Sequence, residues 1–317
     1  MDTILTVNNL TKTYPAKPPV EAVKGVSFSV TAGSVVALLG PNGAGKTTTI
    51  KCILNLVKPT SGKVEVYGRE HNDLTYLYRH AAAVLEGNRN LFWRLSPRHN
   101  LEVFATYGGT SPKRTKSLIE RWLEFFGLSG IKEEVRHLSR GNQQKVAIAA
   151  ALVRDTPLII LDEPTLGLDV EAKRALVPAI RRLAEEEGKT ILLTSHQMDV
   201  VEALADRIII IQNGKVAAEG TPTSLKRLFD SQTYRIEIKL PNGSLPAEIR
   251  ERWEIQILPG EDGNTALKTV LQDPRLIYRL LEDLEKTGAV LVSLQPDLPD
   301  LEEAYVRLVR DGDPKQA

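Results

Sequence analysis

The plainest chemistry in the chain lies in Gly40-Pro41-Asn42-Gly43-Ala44-Gly45-Lys46-Thr47-Thr48. Its glycines let the backbone curl until successive N–H groups point at one anion. The apolar run Val35-Val36-Ala37-Leu38-Leu39 before it reads as a buried strand. Thr49 to Leu56 after it reads as a helix, whose N-terminus adds partial positive charge. Strand, Gly-rich turn and helix is the setting a phosphate-binding loop requires. The spacing Gly40-x4-Gly45-Lys46-Thr47 predicts that Lys46 reaches the β- and γ-phosphates of a nucleotide and that the Thr47 hydroxyl ligates Mg²⁺.

Three further stretches carry candidate chemistry. Leu158-Ile159-Ile160-Leu161-Asp162-Glu163-Pro164-Thr165 is a hydrophobic strand ending in acids, the pattern of a Walker B strand. Asp162 is the candidate to hold Mg²⁺ through a water. Glu163 is placed to accept a proton from an attacking water. An ordinary strand running into a solvated acidic turn has the same composition. In Leu138-Ser139-Arg140-Gly141-Asn142-Gln143-Gln144-Lys145, Ser139 and Gly141 stand at the start of a helix over Gly141 to Val153. That is a second anion-binding geometry, although a plain Ser N-cap looks the same. His196, in Thr194-Ser195-His196, follows another apolar strand and reads as structural or catalytic.

The elements that must position these residues follow from periodicity. Alternating runs at Ile4 to Val7, Val26 to Val30, Val64 to Gly68 and Ala82 to Glu86 predict strands. From about 97 to 153 the pattern turns helical, with segments Asn100 to Tyr107, Pro112 to Phe126 and Gly141 to Val153. Strand and helix then alternate: strands at Leu158 to Asp162, Thr190 to Thr194 and Arg207 to Gln212, helices at Val170 to Glu187 and Asp199 to Ala205. Asn213-Gly214 predicts a hairpin turn into Lys215 to Glu219. Short apolar strands separated by helices imply an α/β fold with a parallel sheet covered on both faces. After a connecting helix over Thr221 to Phe229, the boundary falls at 230–231. Beyond it come strands at Tyr234 to Leu240, Trp253 to Ile257 and Ala289 to Leu294. A helix opens at Asp273-Pro274, and a last one is capped by Asp300 with Glu303. The C-terminal part is therefore a small α+β domain.

The order of these motifs resembles the ATP-binding cassette of ABC transporters over about residues 3 to 229. The resemblance implies a P-loop ABC ATPase cassette: a RecA-like parallel sheet, an antiparallel β subdomain and a helical subdomain at about 97–153. The cassette would span 1–230 and the accessory domain 231–317. It implies ATP and Mg²⁺ as cofactors and a head-to-tail dimer, a homodimer on the simplest reading. The ATP-binding set would be Tyr14, stacking on adenine, with Gly40, Pro41, Asn42, Gly43, Ala44, Gly45, Lys46, Thr47 and Thr48. Tyr14 also reads as a surface turn tyrosine. Ser139, Arg140, Gly141 and Gln143 would face the ATP of the partner subunit. Glu163 would be the general base, His196 would contact the γ-phosphate, and Leu166-Gly167-Leu168-Asp169 would form the D-loop. Thr47, Glu86 and Asp162 would hold the metal.

Two stretches depart from the family pattern. Glu86 stands where Gln is usual: it ligates a cation more strongly but cannot donate a hydrogen bond when ionised. Arg140 and Asn142 replace the commoner Gly and Gln. Glu86 and the run Asn88-Arg89-Asn90-Leu91-Phe92-Trp93-Arg94-Leu95, with Arg98, occupy the place where the family docks its membrane subunit. Phe92 and Trp93 read either as an anchor patch for an integral membrane permease or as helical-subdomain packing. The ending Pro299-Asp300-Leu301-Glu302-Glu303-Ala304-Tyr305 resembles ATPase subunits of ABC-2-type exporters, the drug-resistance and sodium-efflux group. The alternative is a soluble ABC ATPase acting on a ribosome or DNA. A non-hydrolysing regulatory cassette is a third reading, and the presence of Glu163 and His196 counts against it.

Bulk composition narrows the class. Hydrophobic content of 42% and charged content of 26% over 317 residues are ordinary for a globular protein of two domains. The net charge of +1 gives no general attraction to nucleic acid or anionic lipid. From Ser231 onward, 11 Lys+Arg face 16 Asp+Glu, which argues against gripping phosphate backbones. No nucleic-acid partner is expected. The single Cys52 excludes a disulfide within one chain. The start Met1-Asp2-Thr3-Ile4-Leu5 has no basic n-region, and no apolar run approaches the ~20 residues of a membrane span. The expectation is a cytoplasmic protein, peripheral on the inner face of the membrane through its permease.

Overall fold

A computed structural model of the chain describes residues 2–87, 91–108, 111–227, 233–241, 245–259, 264–271, 273, 275–297, 302 and 305. Contacts divide it into two compact units, Met1–Pro222 and Thr223–Ala317.

The first unit begins with β1 (Thr3–Tyr14), β2 (Val20–Thr31), β3 (Val35–Leu39), α1 (Lys46–Ile53), β4 (Ser61–Val66), β5 (Arg69–Glu70), α2 (Leu74–His80) and β6 (Ala81–Val84). A helical stretch follows: α3 (Pro97–Gly108), α4 (Pro112–Phe125), a 3₁₀ turn at Val135–His137 and α5 (Arg140–Leu152). The unit continues with β7 (Leu158–Asp162), α6 (Val170–Glu185), β8 (Thr190–Ser195), α7 (Met198–Leu204), β9 (Arg207–Gln212) and β10 (Lys215–Gly220).

Among the described residues the central sheet runs β10-β9-β3-β8-β7-β6. Its strands are parallel except for the β9–β10 hairpin, whose turn is the Asn213-Gly214 read from the sequence. β3, β7 and β8 are buried at every position, which is why they are unbroken apolar runs rather than alternating ones. A second sheet, β2-β1-β4-β5, is antiparallel. One continuous core joins the two sheets and α1, with Ile50, Cys52 and Ile53 of α1 buried in the same cluster as Val36, Leu38, Ile160 and Leu192. Cys52 is thus a small core residue, with its thiol pKa pushed up by burial. The helical stretch buries Leu101, Leu118, Ile119, Trp122 and Leu123.

Some local expectations need correction. β1 is a single strand through Tyr14, with irregular pairing near Asn9, whose φ of 44° breaks the alternation. α2 and β5 were not expected. α8 (Pro222–Arg227) starts at the division between the units, and the expected boundary at 230–231 lies outside the described residues.

The second unit holds β11 (Thr233–Lys239), α9 (Ala247–Arg252), β12 (Gln256–Pro259), β13 (Thr265–Val270), α10 (Leu276–Glu285) and β14 (Val290–Pro296). Its antiparallel sheet, in the order β12-β13-β11-β14, makes a split βαββαβ module over a core of Ile236, Ile238, Leu267, Leu280 and Leu284. Trp253 does not begin a strand. It closes α9, buries its ring and donates Nε1–H to Asp283 Oδ2 at 3.1 Å. Glu254 then turns through a φ of 48° before β12 starts. Of the expected last helix, Asp300, Leu301, Glu303 and Ala304 lie outside the described residues.

Candidate functional site

The phosphate-binding loop leaves the C-terminal end of β3, the rim where ligands of open α/β sheets collect. Gly45 caps α1 with a φ of 103°, and a Cβ there would sit 2.3 Å from the Ala22 carbonyl oxygen. A Cβ on Gly40 would meet the Ile211 carbonyl oxygen at 2.2 Å. Only glycine fits either position. The first N–H groups of α1, from Lys46 to Thr48, have no intrahelical acceptor and point toward the anion position. The hairpin turn braces the loop, because Gly214 N–H donates to Ala44 O at 3.1 Å and Lys24 N–H donates to Gly214 O at 2.7 Å.

Lys46 is 7% exposed, and its ammonium donates to the carbonyls of Gly40 at 2.7 Å and Pro41 at 3.2 Å. Burial lowers its pKa, against the opposing pull of the Glu163, Asp162 and Glu86 carboxylates. Those acids and the lysine thus share one electrostatic neighbourhood although they come from three places in the chain.

Asp162 ends β7, fully inside the protein. Its Oδ1 accepts from Thr194 Oγ1 at 2.6 Å and lies 3.4 Å from Thr47 Oγ1. Its Oδ2 is buried with no partner, although a buried carboxylate oxygen normally has one. That orphaned oxygen beside a threonine hydroxyl fits a hard cation that keeps most of its waters. Among the described residues no group of three His, Cys, Asp or Glu side chains is gathered to hold a metal by itself.

Glu163 follows with a φ of 50°, left-handed for a residue with a side chain, at a cost of about 1–2 kcal/mol. From that backbone its Oε2 meets His196 Nδ1 at 2.9 Å. Its carboxylate is 9% exposed and the imidazole 46% exposed, so the pair bridges the interior and the surface. A carboxylate in this position can take a proton from a water that the imidazole helps to orient.

Other expected site residues fall into different settings. Ser139 is the N-cap of α5, accepting from Asn142 N–H at 3.3 Å. Gly141 is buried, and a Cβ on it would lie 2.7 Å from Ala172 Cβ on α6. Arg140 is exposed and reaches toward the Gly167 carbonyl at 3.5 Å. Gln143 lies one turn further along α5. Its amide NH₂ donates to Val135 O at 3.2 Å and to Leu138 O at 3.0 Å, which uses both of its donor hydrogens. In this arrangement Gln143 fastens the 3₁₀ turn to α5. Asp169 caps α6 through Ala172 N–H at 2.7 Å. Tyr14 is half-buried at the end of β1, with the Lys12 ammonium 5.1 Å from its ring centroid.

Glu86, Trp93, Arg140, Asp162 and Glu163 line one cleft of about 260 Å³. Phe92 and Trp93 are exposed by 45% and 37%. Their segment is pinned by the buried Asn100, whose Oδ1 accepts from Phe92 N–H and whose two amide hydrogens are shared among the carbonyls of Phe92, Leu95 and Ser96. Arg98 leaves the expected patch, since its guanidinium is held by both oxygens of Glu120 at 2.8 Å. Asn88, Arg89 and Asn90 lie outside the described residues. Sequence reasoning missed Thr194 and Asn100, whose only signal was a polar residue inside an apolar run or at a helix start.

A phosphate-binding loop, an acid-ended strand beside it and a carboxylate–imidazole pair define a P-loop nucleoside triphosphatase. The ABC transporter family profile matches residues 23–166. Over 289 residues, 90% of this chain and 87% of that protein, the chain is 32% identical to the daunorubicin/doxorubicin resistance ATP-binding protein of Streptomyces peucetius. Over 204 residues, 64% of this chain and 67% of that protein, it is 39% identical to the Nod factor export ATP-binding protein I of Rhizobium sp. (strain N33). A solved ATP-binding subunit of an ABC transporter superposes with a TM-score of 0.63 at 33% identity, over 71% of this chain and 93% of that one. A dimeric ATP-binding cassette in a post-hydrolysis state, bound to ADP and Pi, gives 0.62 at 29% identity over 69% and 98%. The chain belongs to the ATP-binding subunits of ABC transporters, and it is an ATPase.

Proposed function

We propose that this chain powers an ABC-2-type membrane exporter, and that two copies close head to tail over ATP to do so. The observation that carries the exporter reading is the reach of the drug-resistance relative. Its alignment covers 90% of the chain, more than the first unit can supply, so the likeness continues into the βαββαβ unit.

In this reading the N–H groups of the Gly40 to Thr48 loop and Lys46 bind the phosphates, and Tyr14 stacks on the base. The residues fit Mg²⁺, which Thr47, Glu86 and Asp162 would hold; bound there, it would neutralise charge on the phosphate oxygens. Glu163 takes the proton from the attacking water, and His196 orients Glu163 through its Nδ1 while its other nitrogen is free to meet the γ-phosphate. Ser139, Arg140 and the exposed start of α5 face the ATP of a second copy, and Asp169 links the two sites. Closure favours one arrangement of a permease over another because ATP binds the closed dimer better. No helix among the described residues is long and apolar enough to cross a membrane. The chain would therefore act at the inner face of the membrane through a permease docked near Phe92 and Trp93.

The test is steady-state ATP turnover by Glu163→Gln beside the wild type, with size-exclusion chromatography in ATP. The expected result is a fall in kcat of at least about 100-fold and an ATP-dependent dimer that persists. Undiminished hydrolysis refutes the role of Glu163.

A further inference from the structure

We propose that Thr194 is a positioning residue that sets both carboxylates of the hydrolytic site at once. The proposal rests on the roles given above to Asp162 and Glu163. Thr194 lies on β8 directly opposite Asp162 in the parallel ladder, and it is fully buried. Its hydroxyl has a single proton, which goes to Asp162 Oδ1 at 2.6 Å. The same oxygen accepts the Glu163 N–H at 2.9 Å. One side chain therefore ties the metal-side acid to the base-side acid.

Each bond has a separate consequence. Holding Oδ1 fixes the rotamer of Asp162, so the oxygen left without a partner is Oδ2, buried and available to a cation or its water. Holding the Glu163 N–H locks that residue at a φ of 50°, and only from that backbone does its carboxylate meet His196. Without the hydroxyl, Asp162 is free to turn toward Lys46 or Thr47. The Glu163 N–H is then partly buried and unpaired, a state the chain relieves by moving. Register sets the position, because a slip of one residue would bring Leu193 or Ser195 opposite Asp162 and turn the Thr194 hydroxyl to the other face.

Thr194→Val keeps the shape and removes the hydroxyl, while Thr194→Ser keeps the hydroxyl. Three readouts separate positioning from general damage: kcat against KM for ATP, binding of a non-hydrolysable fluorescent ATP analogue without divalent metal, and the Mg²⁺ concentration that half-saturates the rise in that binding. For Thr194→Val, kcat should fall at least about 10-fold, with KM and metal-free binding within about threefold of wild type. The Mg²⁺ midpoint should rise at least about threefold. Thr194→Ser should stay within about threefold of wild type throughout. An unshifted Mg²⁺ midpoint in Thr194→Val overturns the proposal. So does metal-free binding that falls in step with kcat, or a serine variant as impaired as the valine. Normal hydrolysis by Glu163→Gln would instead overturn the base assignment, and the Mg²⁺ midpoint, read without hydrolysis, still decides the proposal.

Discussion

Replacing Gly141 by alanine separates packing from nucleotide contact at the start of α5. A Cβ at 141 would stand 2.7 Å from Ala172 Cβ and 3.6 Å from Ala172 Cα. Carbon atoms in contact prefer about 3.5–4.0 Å, so α5 and α6 must part by roughly 1 Å. Overpacking of this kind costs about 1–3 kcal/mol. Alanine's better helix propensity returns at most about 1 kcal/mol. Gly141→Ala should therefore lose about 1–2 kcal/mol, or roughly 3–6 °C in Tm for a unit of this size. Thermal unfolding followed by circular dichroism without nucleotide measures it, because no phosphate contact enters. Ala172→Gly removes the opposing methyl, so adding Gly141→Ala to it should cost nothing further. The double-mutant cycle should then show a coupling of about 1–2 kcal/mol. A Gly141→Ala protein as stable as wild type, or strictly additive effects, would refute the close approach of the two helices.

Two other expectations concern acid stability and the exposed aromatic segment. Burial lowers the pKa of His71, which is 6% exposed, against weaker opposing contacts with the backbone of Cys52 and Val64. The unfolded chain thus takes up that proton more readily, so its contribution to stability is complete above the ordinary histidine value and is lost as pH falls from there to the folded pKa. Urea midpoints measured from pH 8 to pH 5 should drop less steeply for His71→Gln than for wild type, and parallel curves would exclude His71 as the cause. Trp93→Ala combined with Arg94→Glu should reduce recovery of the permease with the tagged chain at least about fivefold, if this segment anchors it. Equal recovery would place the docking surface elsewhere.

Legibility followed the range of the interactions. The loop from Gly40 to Thr48 could be read directly, because a turn, a helix start and a lysine at fixed spacing are local chemistry. The central strands were equally plain, since burial on both faces demands unbroken apolar runs. Elements whose sequence mixes polar and apolar residues without a clear period were missed, as with α2 and β13. Trp253 looked like strand material because a large apolar residue began an alternating run, yet a left-handed turn at Glu254 separates it from β12.

The sequence by itself determined which chemistry the chain could do: bind phosphates, hold a hard cation and present an acid and an imidazole. Only the tertiary structure decided how those groups are held. Thr194 and Asp162 are 32 residues apart, and they meet because β7 and β8 pair in one register. Gly141 serves the approach of two helices, a demand set by Ala172 and invisible at position 141. Gln143 has the residue type of a phosphate ligand, but its donor hydrogens are already committed to the carbonyls of Val135 and Leu138. Motif spacing specifies a side chain's capacity, whereas its neighbours in space decide which part of that capacity remains free.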